Sequence, residues 1–171
     1  MEEKRGGWVG KVLLALLALV LVLSWAKGGK TETQNDVTIR TERNDQPDTL
    51  QFGNDAERIA GDLKSALGSG YTFSWTASGY KLTFTVKIKD LSGDDLADLY
   101  AIDAAEAQKI IDNLNESMKS ANSGTVDRFK ALGYKSPTVV FSMVTSDGME
   151  ICTVQNGRIT RSITKDNFKY G

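Results

Sequence analysis

No histidine occurs anywhere in this 171-residue chain. That absence removes the commonest general base, the usual zinc ligand and the side chain that ordinarily titrates near neutral pH. Cysteine occurs once, at Cys152, so no internal disulfide can form and an exported domain has to be held by its core alone. Proline is confined to Pro47 and Pro137. Neither sign of charge dominates: 21 Lys and Arg stand against 22 Asp and Glu, with no basic run or face of the kind that binds nucleic acid. Gly-rich phosphate loops, a Ser-x-x-Lys motif and paired-Cys metal motifs are all missing. The expectation is a chain with no catalytic residues, no metal ligands and no cofactor.

What is present begins at the N-terminus. A charged head (Glu2, Glu3, Lys4, Arg5) and Lys11 lead into Val12–Leu23, an unbroken run of Val, Leu and Ala. A membrane span needs roughly 17–25 apolar residues. Trp8–Ala26 has that length if Lys11 snorkels toward the headgroups, and Trp8 and Trp25 then mark the two interfaces. Lys4, Arg5 and Lys11 precede the run and favour a cytoplasmic N-terminus, although Lys27 and Lys30 weaken the contrast. The same stretch also fits a cleavable signal peptide, with Val12–Leu23 as its apolar region and cleavage after Ala26. A buried core helix fits less well, because a purely aliphatic terminal run lacks amphipathic alternation. Residues 1–26 are therefore expected to be a membrane anchor or signal peptide, residues 27–35 (KGGKTETQN) a polar tether, and residues 36–171 one extracytoplasmic domain.

Within that domain, Asp36–Thr41 alternates around Val37 and Ile39 and predicts a short first strand, and Glu42–Leu50 reads as loop. Asn54 with Glu57 resembles a capping box, opening a helix that carries Ile59, Leu63 and Leu67 and stops at Gly68 and Gly70. Tyr71, Phe73, Trp75 and Ala77 alternate with polar residues, as do Tyr80, Leu82, Phe84, Val86 and Ile88. With Ser78-Gly79 as a two-residue turn, Trp75 would face Leu82, Phe73 would face Phe84 and Tyr71 would face Val86. Asp90–Asp98 reads as an acidic connection, followed by a long helix from about Asp103 to Leu132 that Asn122-Ser123-Gly124 would kink or split. Gly133 caps it and Pro137 prevents its continuation. Thr138–Thr145, Met149–Gln155 and Arg158–Thr164 then read as strands, the last two joined by Asn156-Gly157. The order is β-α-β-β-α-β-β-β: an α+β domain with a mainly antiparallel sheet and two helices packed on one face.

Four features invite a chemical reading. Cys152 has no histidine to activate it and shares a strand face with Val154, so it reads as buried and structural. Asp90, Asp94, Asp95 and Asp98 do not follow the EF-hand spacing, and a solvated loop entering a helix N-terminus accounts for them. Asn115-Glu116-Ser117 matches a glycosylation sequon but falls inside the long helix. Lys81, Lys87 and Lys89 would meet an anionic polymer or lipid headgroups, or else form the wet face and edge protection of a sheet.

The leader cadence LLALLALVLVLSWAKGG, the alternating strand YKLTFTVKI, the long helix and the ending PTVVFSMVTSDGMEI together resemble small extracytoplasmic lipoprotein-type proteins of Gram-positive bacteria, of the DUF4854 kind. In such leaders a cysteine just before the Gly pair accepts the lipid; Lys27 occupies that place here, so lipid attachment at this site has no nucleophile. The family carries no established activity, and the resemblance implies location and architecture. The expected function is that of a non-enzymatic binding module for an envelope protein or cell-wall component, held in the cell membrane by residues 8–26. The alternative is a secreted inhibitor or ligand released by signal peptidase cleavage after Ala26.

Overall fold

The computed structural model describes residues 46–168; the leader, the tether and the strand expected at Asp36–Thr41 lie outside them. Among the described residues no helix is long and apolar enough to cross a membrane. Three α-helices and one five-stranded mixed sheet make an α+β domain: α1 Thr49–Ala66, β1 Tyr71–Ser78, β2 Lys81–Ile88, α2 Gly93–Ile102, α3 Ala104–Ala131, β3 Thr138–Val144, β4 Glu150–Gln155 and β5 Arg158–Ser162, closed by a 3-10 turn at Lys165–Phe168. The strands lie in chain order across the sheet. Three neighbouring pairs are antiparallel; the central pair, β2 with β3, is parallel because α2 and α3 carry the chain back between them.

Alternation along the strands buries one face of the sheet. Phe73, Val86, Met143 and Cys152 form one row across it, and Trp75, Phe84, Phe141 and Val154 the next. Both rows face the helices, where Phe84, Phe141, Met143, Cys152 and Val154 are buried. Helices α1 and α3 sit over this face, with α2 packed against α3; Phe52 of α1 stacks on Phe129 of α3 at 4.5 Å and meets Tyr134 edge-on at 5.1 Å.

Each helix begins on a side-chain cap. Asp48 accepts from the Gln51 N–H at 2.8 Å, so the cap of α1 lies six residues before the Asn54 suggested by the capping-box pattern, which instead lies within the helix. The acidic connection is itself largely helical. Ser92 and Asp95 form a capping box in which the Ser92 hydroxyl accepts from the Asp95 N–H at 3.1 Å and the Asp95 carboxylate from the Ser92 N–H at 2.7 Å. The expectation of two helices is thereby corrected to three. Asp103 ends α2 and caps α3, accepting from Ala105 and Glu106 N–H groups. Helix α3 runs unbroken through Asn122-Ser123-Gly124 to Leu132, and Gly133 at φ 97° provides the left-handed exit.

The β1–β2 hairpin holds the expected faces with a register displaced by two residues. Its turn is Gly79-Tyr80, with Ser78 opposite Lys81, so Trp75 faces Phe84, Phe73 faces Val86 and Tyr71 faces Ile88. Gly79 at φ 58° takes the first central position, where a two-residue type II′ turn demands a positive φ. Tyr80 consequently leaves the strand and packs near Phe52 and Tyr134. Moving the turn by one residue shifts the register by two, which leaves the side-chain faces unchanged.

Candidate functional surface

The face of the sheet away from the helices carries no covering element among the described residues. Its cross-strand rows read Ser74–Thr85–Ser142–Thr153–Arg161 and Thr76–Thr83–Val140–Gln155–Arg158, flanked by Thr72–Lys87–Val144–Glu150 on one side and Ser78–Lys81–Thr138 on the other. Small hydroxyl and β-branched side chains suit a pleated surface and leave it flat. No aromatic residue stands on it.

Cations border this floor. Lys81, Lys87 and Lys89 project from β2 and its end, and Arg158 and Arg161 from β5. With strands about 4.8 Å apart, the two groups stand roughly 14 Å from each other across the hydroxyl rows. Lys89 donates to the Ser69 carbonyl at 2.7 Å, and Arg161 pairs with Glu150 at 2.9 Å. Glu150 also accepts from the Thr153 hydroxyl, which meets Ser142 Oγ at 3.0 Å, so one hydrogen-bonded chain crosses three strands. Glu150 is the one carboxylate on a described strand; the others sit on helices and loops. The domain is thus polarised, with a cationic sheet face and an acidic helical side.

Sheet order decides between the two roles open to the lysines. Strand β2 lies between β1 and β3, so Lys81 and Lys87 cannot protect an edge. They belong to the wet face, and Lys87 is exposed. The two arginines on β5 do stand at an edge. Sequence patterning does not single them out because the Arg-Ile-Thr-Arg alternation is broken by a bulge in β5 at Thr160, opposite Thr153 and Val154, which sets both arginines on the same face.

The other candidate residues are separated and structural. Cys152 is fully buried opposite Met143, and burial, with the Glu150 charge adding, pushes its thiol up to about 12. Asp95 is spent in the α2 cap, while Asp90, Asp94 and Asp98 are exposed, and no group of potential metal-ligating side chains forms among the described residues. Asn115 is buried within α3 and donates to Ser162 Oγ at 2.7 Å, which leaves the sequon without an accessible acceptor. A carboxylate that patterning does not reveal has a definite role. Asp147, in the β3–β4 turn, accepts from the Gly93 N–H through both oxygens at 3.1 Å and from the Thr145 hydroxyl, reinforcing the N-terminus of α2 from a distant loop. These hydrogen bonds, Thr145's foremost and Gly93's next, hold its carboxyl below its usual range.

No protein-family model, curated protein or solved structure matches this chain.

Proposed function

We propose that this protein is a non-enzymatic binding domain of the bacterial cell envelope, held in the cell membrane by residues 8–26 with its α+β domain outside, and that its open sheet face takes an anionic cell-wall polymer. The observation that carries the reading is the segregation of charge: Lys81, Lys87, Arg158 and Arg161 border a flat hydroxyl-lined floor, while the carboxylates crowd the helical side. A surface without aromatic or large aliphatic side chains offers little to an apolar peptide. Hydroxyls and cations suit phosphate or carboxylate groups on a polar chain.

Magnitudes support a repeating ligand. Each exposed ion pair contributes only about 0.2–1 kcal/mol, so one anionic group would be held weakly. A polymer that presents such groups in series engages several cations at once and rebinds before it diffuses away. The leader supports this location, since an apolar run behind Lys4, Arg5 and Lys11 would deliver the downstream domain to the outer side. Release after Ala26 would make the same surface a secreted ligand. Sedimentation of full-length protein with purified wall fragments tests the reading: co-sedimentation at low salt that is lost at high salt supports it, and no co-sedimentation at low salt overturns it. Vesicles of anionic lipid, run in parallel, separate wall polymer from headgroups as the source of negative charge. Fractionation of expressing cells separates anchor from cleavage, a shortened soluble form beginning at Lys27 favouring release.

A further inference from the structure

The two edges of the sheet are treated differently. Strand β5 is five residues long, bears Arg158 and Arg161, and is distorted by the bulge opposite Thr153 and Val154, the devices that ordinarily discourage strand addition. Strand β1 has eight residues, no charge, no proline and no bulge. Its even-numbered residues pair with β2, closing at Ser78 opposite Lys81, so the N–H and C=O groups of Phe73, Trp75 and Ala77 point out of the sheet. No described residue pairs with them.

The described chain enters at one end of the sheet. Gln46 and Pro47 lie beside Lys135 and Gly133, at the end of the sheet that holds the Gly79-Tyr80 turn. A strand arriving there from upstream would run parallel to β1, with α1 as the crossover. That crossover and the β2-to-β3 crossover would share one sheet face while their strands run in opposite directions, so one of them would be left-handed, a hand found in about 2% of such connections.

The flank of α1 above this edge is self-complementary. Leu50, Gly53, Glu57, Gly61 and Lys64 recur at helical spacing on one side, and Lys64 lies 5.2 Å over the Phe73 ring, which sets that side toward β1. The opposite flank is used internally, Asp55 bonding Tyr134 and Asp62 pairing with Arg128. Leu50 is 75% exposed, and a Cβ placed on Gly53 or Gly61 would meet nothing within 4 Å. Because Lys64 stands over Phe73, the middle of β1 lies beneath the neighbourhood of Gly61. A two-fold axis there sets Gly61 against its own copy and brings Glu57 of each chain near Lys64 of the other.

We propose that the occupant of the β1 edge is a second copy of this chain, added antiparallel about a two-fold axis at Ser74 to give a continuous ten-stranded sheet. In this register Phe73 of one copy faces Trp75 of the other, and Tyr71 faces Ala77, so large side chains meet large or small ones without a charge between them. The two open faces merge into one surface, doubling the row of cations and hydroxyls. This inference rests on the edge and on the α1 flank above it, and stands whether or not that surface binds a polymer.

Cross-linking of the full-length protein in membranes tests it. Ser74 would lie directly opposite itself in a non-hydrogen-bonded pair, the closer of the two antiparallel spacings, so Ser74→Cys should give a covalent dimer on mild oxidation. Thr72→Cys, exposed on the same strand but about 13 Å from its own copy in this register, should give at least tenfold less. Cys152 is buried and does not compete. Ser74→Lys sets like charges opposite one another and should return the detergent-solubilised protein to monomer mass while leaving its circular dichroism unchanged. Equal cross-linking at both positions, none at Ser74→Cys, or a dimer that survives Ser74→Lys would each overturn the proposal.

Discussion

The side chain of Asn122, fully buried in the middle of α3, accepts a hydrogen bond from the Gly157 N–H at 2.7 Å. Its amide nitrogen donates to the carbonyls of Val139 at 3.1 Å and Val154 at 3.3 Å. One polar side chain thus ties the long helix to β3, to β4 and to the turn between β4 and β5. Asn156 completes the junction, its side chain accepting from the Val139 N–H at 2.7 Å. Replacing Asn122 by Leu would remove the amide and leave the part-buried Gly157 N–H without its acceptor, while the Val139 carbonyl keeps the Asn156 N–H at 3.0 Å. The expected loss is about 1–3 kcal/mol by urea unfolding, larger than for an exposed asparagine such as Asn113.

Gly157 is constrained twice. Its φ is 76°, and a Cβ there would stand 2.5 Å from Ser123 Oγ. Gly157→Ala should therefore destabilise by about 1–2 kcal/mol from conformation alone, with the clash added. Ser123→Ala removes the clash and leaves the backbone strain. A double-mutant cycle by thermal unfolding should show Ser123→Ala recovering part, not all, of the loss.

Asp147 gives the domain an acid-sensitive contact. Thr145 and Gly93 hydrogen bonds lower its folded-state pKa beneath the ordinary 3.8. A group depressed on folding contributes its stability above its unfolded value, and that contribution is lost as pH falls through the folded value. Denaturation midpoints of wild type and Asp147→Asn should differ at pH 6 and converge as pH drops below 3.8.

Cys152 behaves in the opposite sense. Its thiol rises from 9.0 to about 12 on burial, so the contribution is complete below 9.0 and disappears as pH climbs from there toward 12. At pH 8 the folded protein should leave a thiol reagent unreacted for as long as it stays folded, and react with one equivalent once urea unfolds it.

The alternating strands and the long helix are legible because their signals are local. Phe84 and Val86 announce a half-buried strand wherever it pairs, and Asp103 with Gly133 brackets a helix with few competing ends. The hairpin register is not legible, because Ser78-Gly79 and Gly79-Tyr80 both permit a two-residue turn and preserve the faces. The start of α1 is obscured because Asn54-Glu57 imitates a cap, whereas the cap in use, Asp48, follows Pro47 in a stretch that reads as loop. Helix α2 is hidden by its acidic composition and by a contact from Asp147, supplied from more than fifty residues downstream. The proposed binding surface shows in the sequence only as three alternating lysines. Its arginines join them through sheet order and a bulge, neither of which a single strand encodes.

Charge reversal on the open sheet face tests the proposed binding role most directly. Full-length protein carrying Lys81→Glu, Lys87→Glu and Arg158→Glu should keep its unfolding free energy within about 0.5 kcal/mol per site, because these side chains are exposed. Its binding to purified wall fragments at low salt should fall at least tenfold, while the same number of reversals on the helical side, at Lys109, Lys119 and Lys130, should leave binding unchanged. Equal binding by wild type and the sheet-face variant would contradict the assignment of that face as the binding surface.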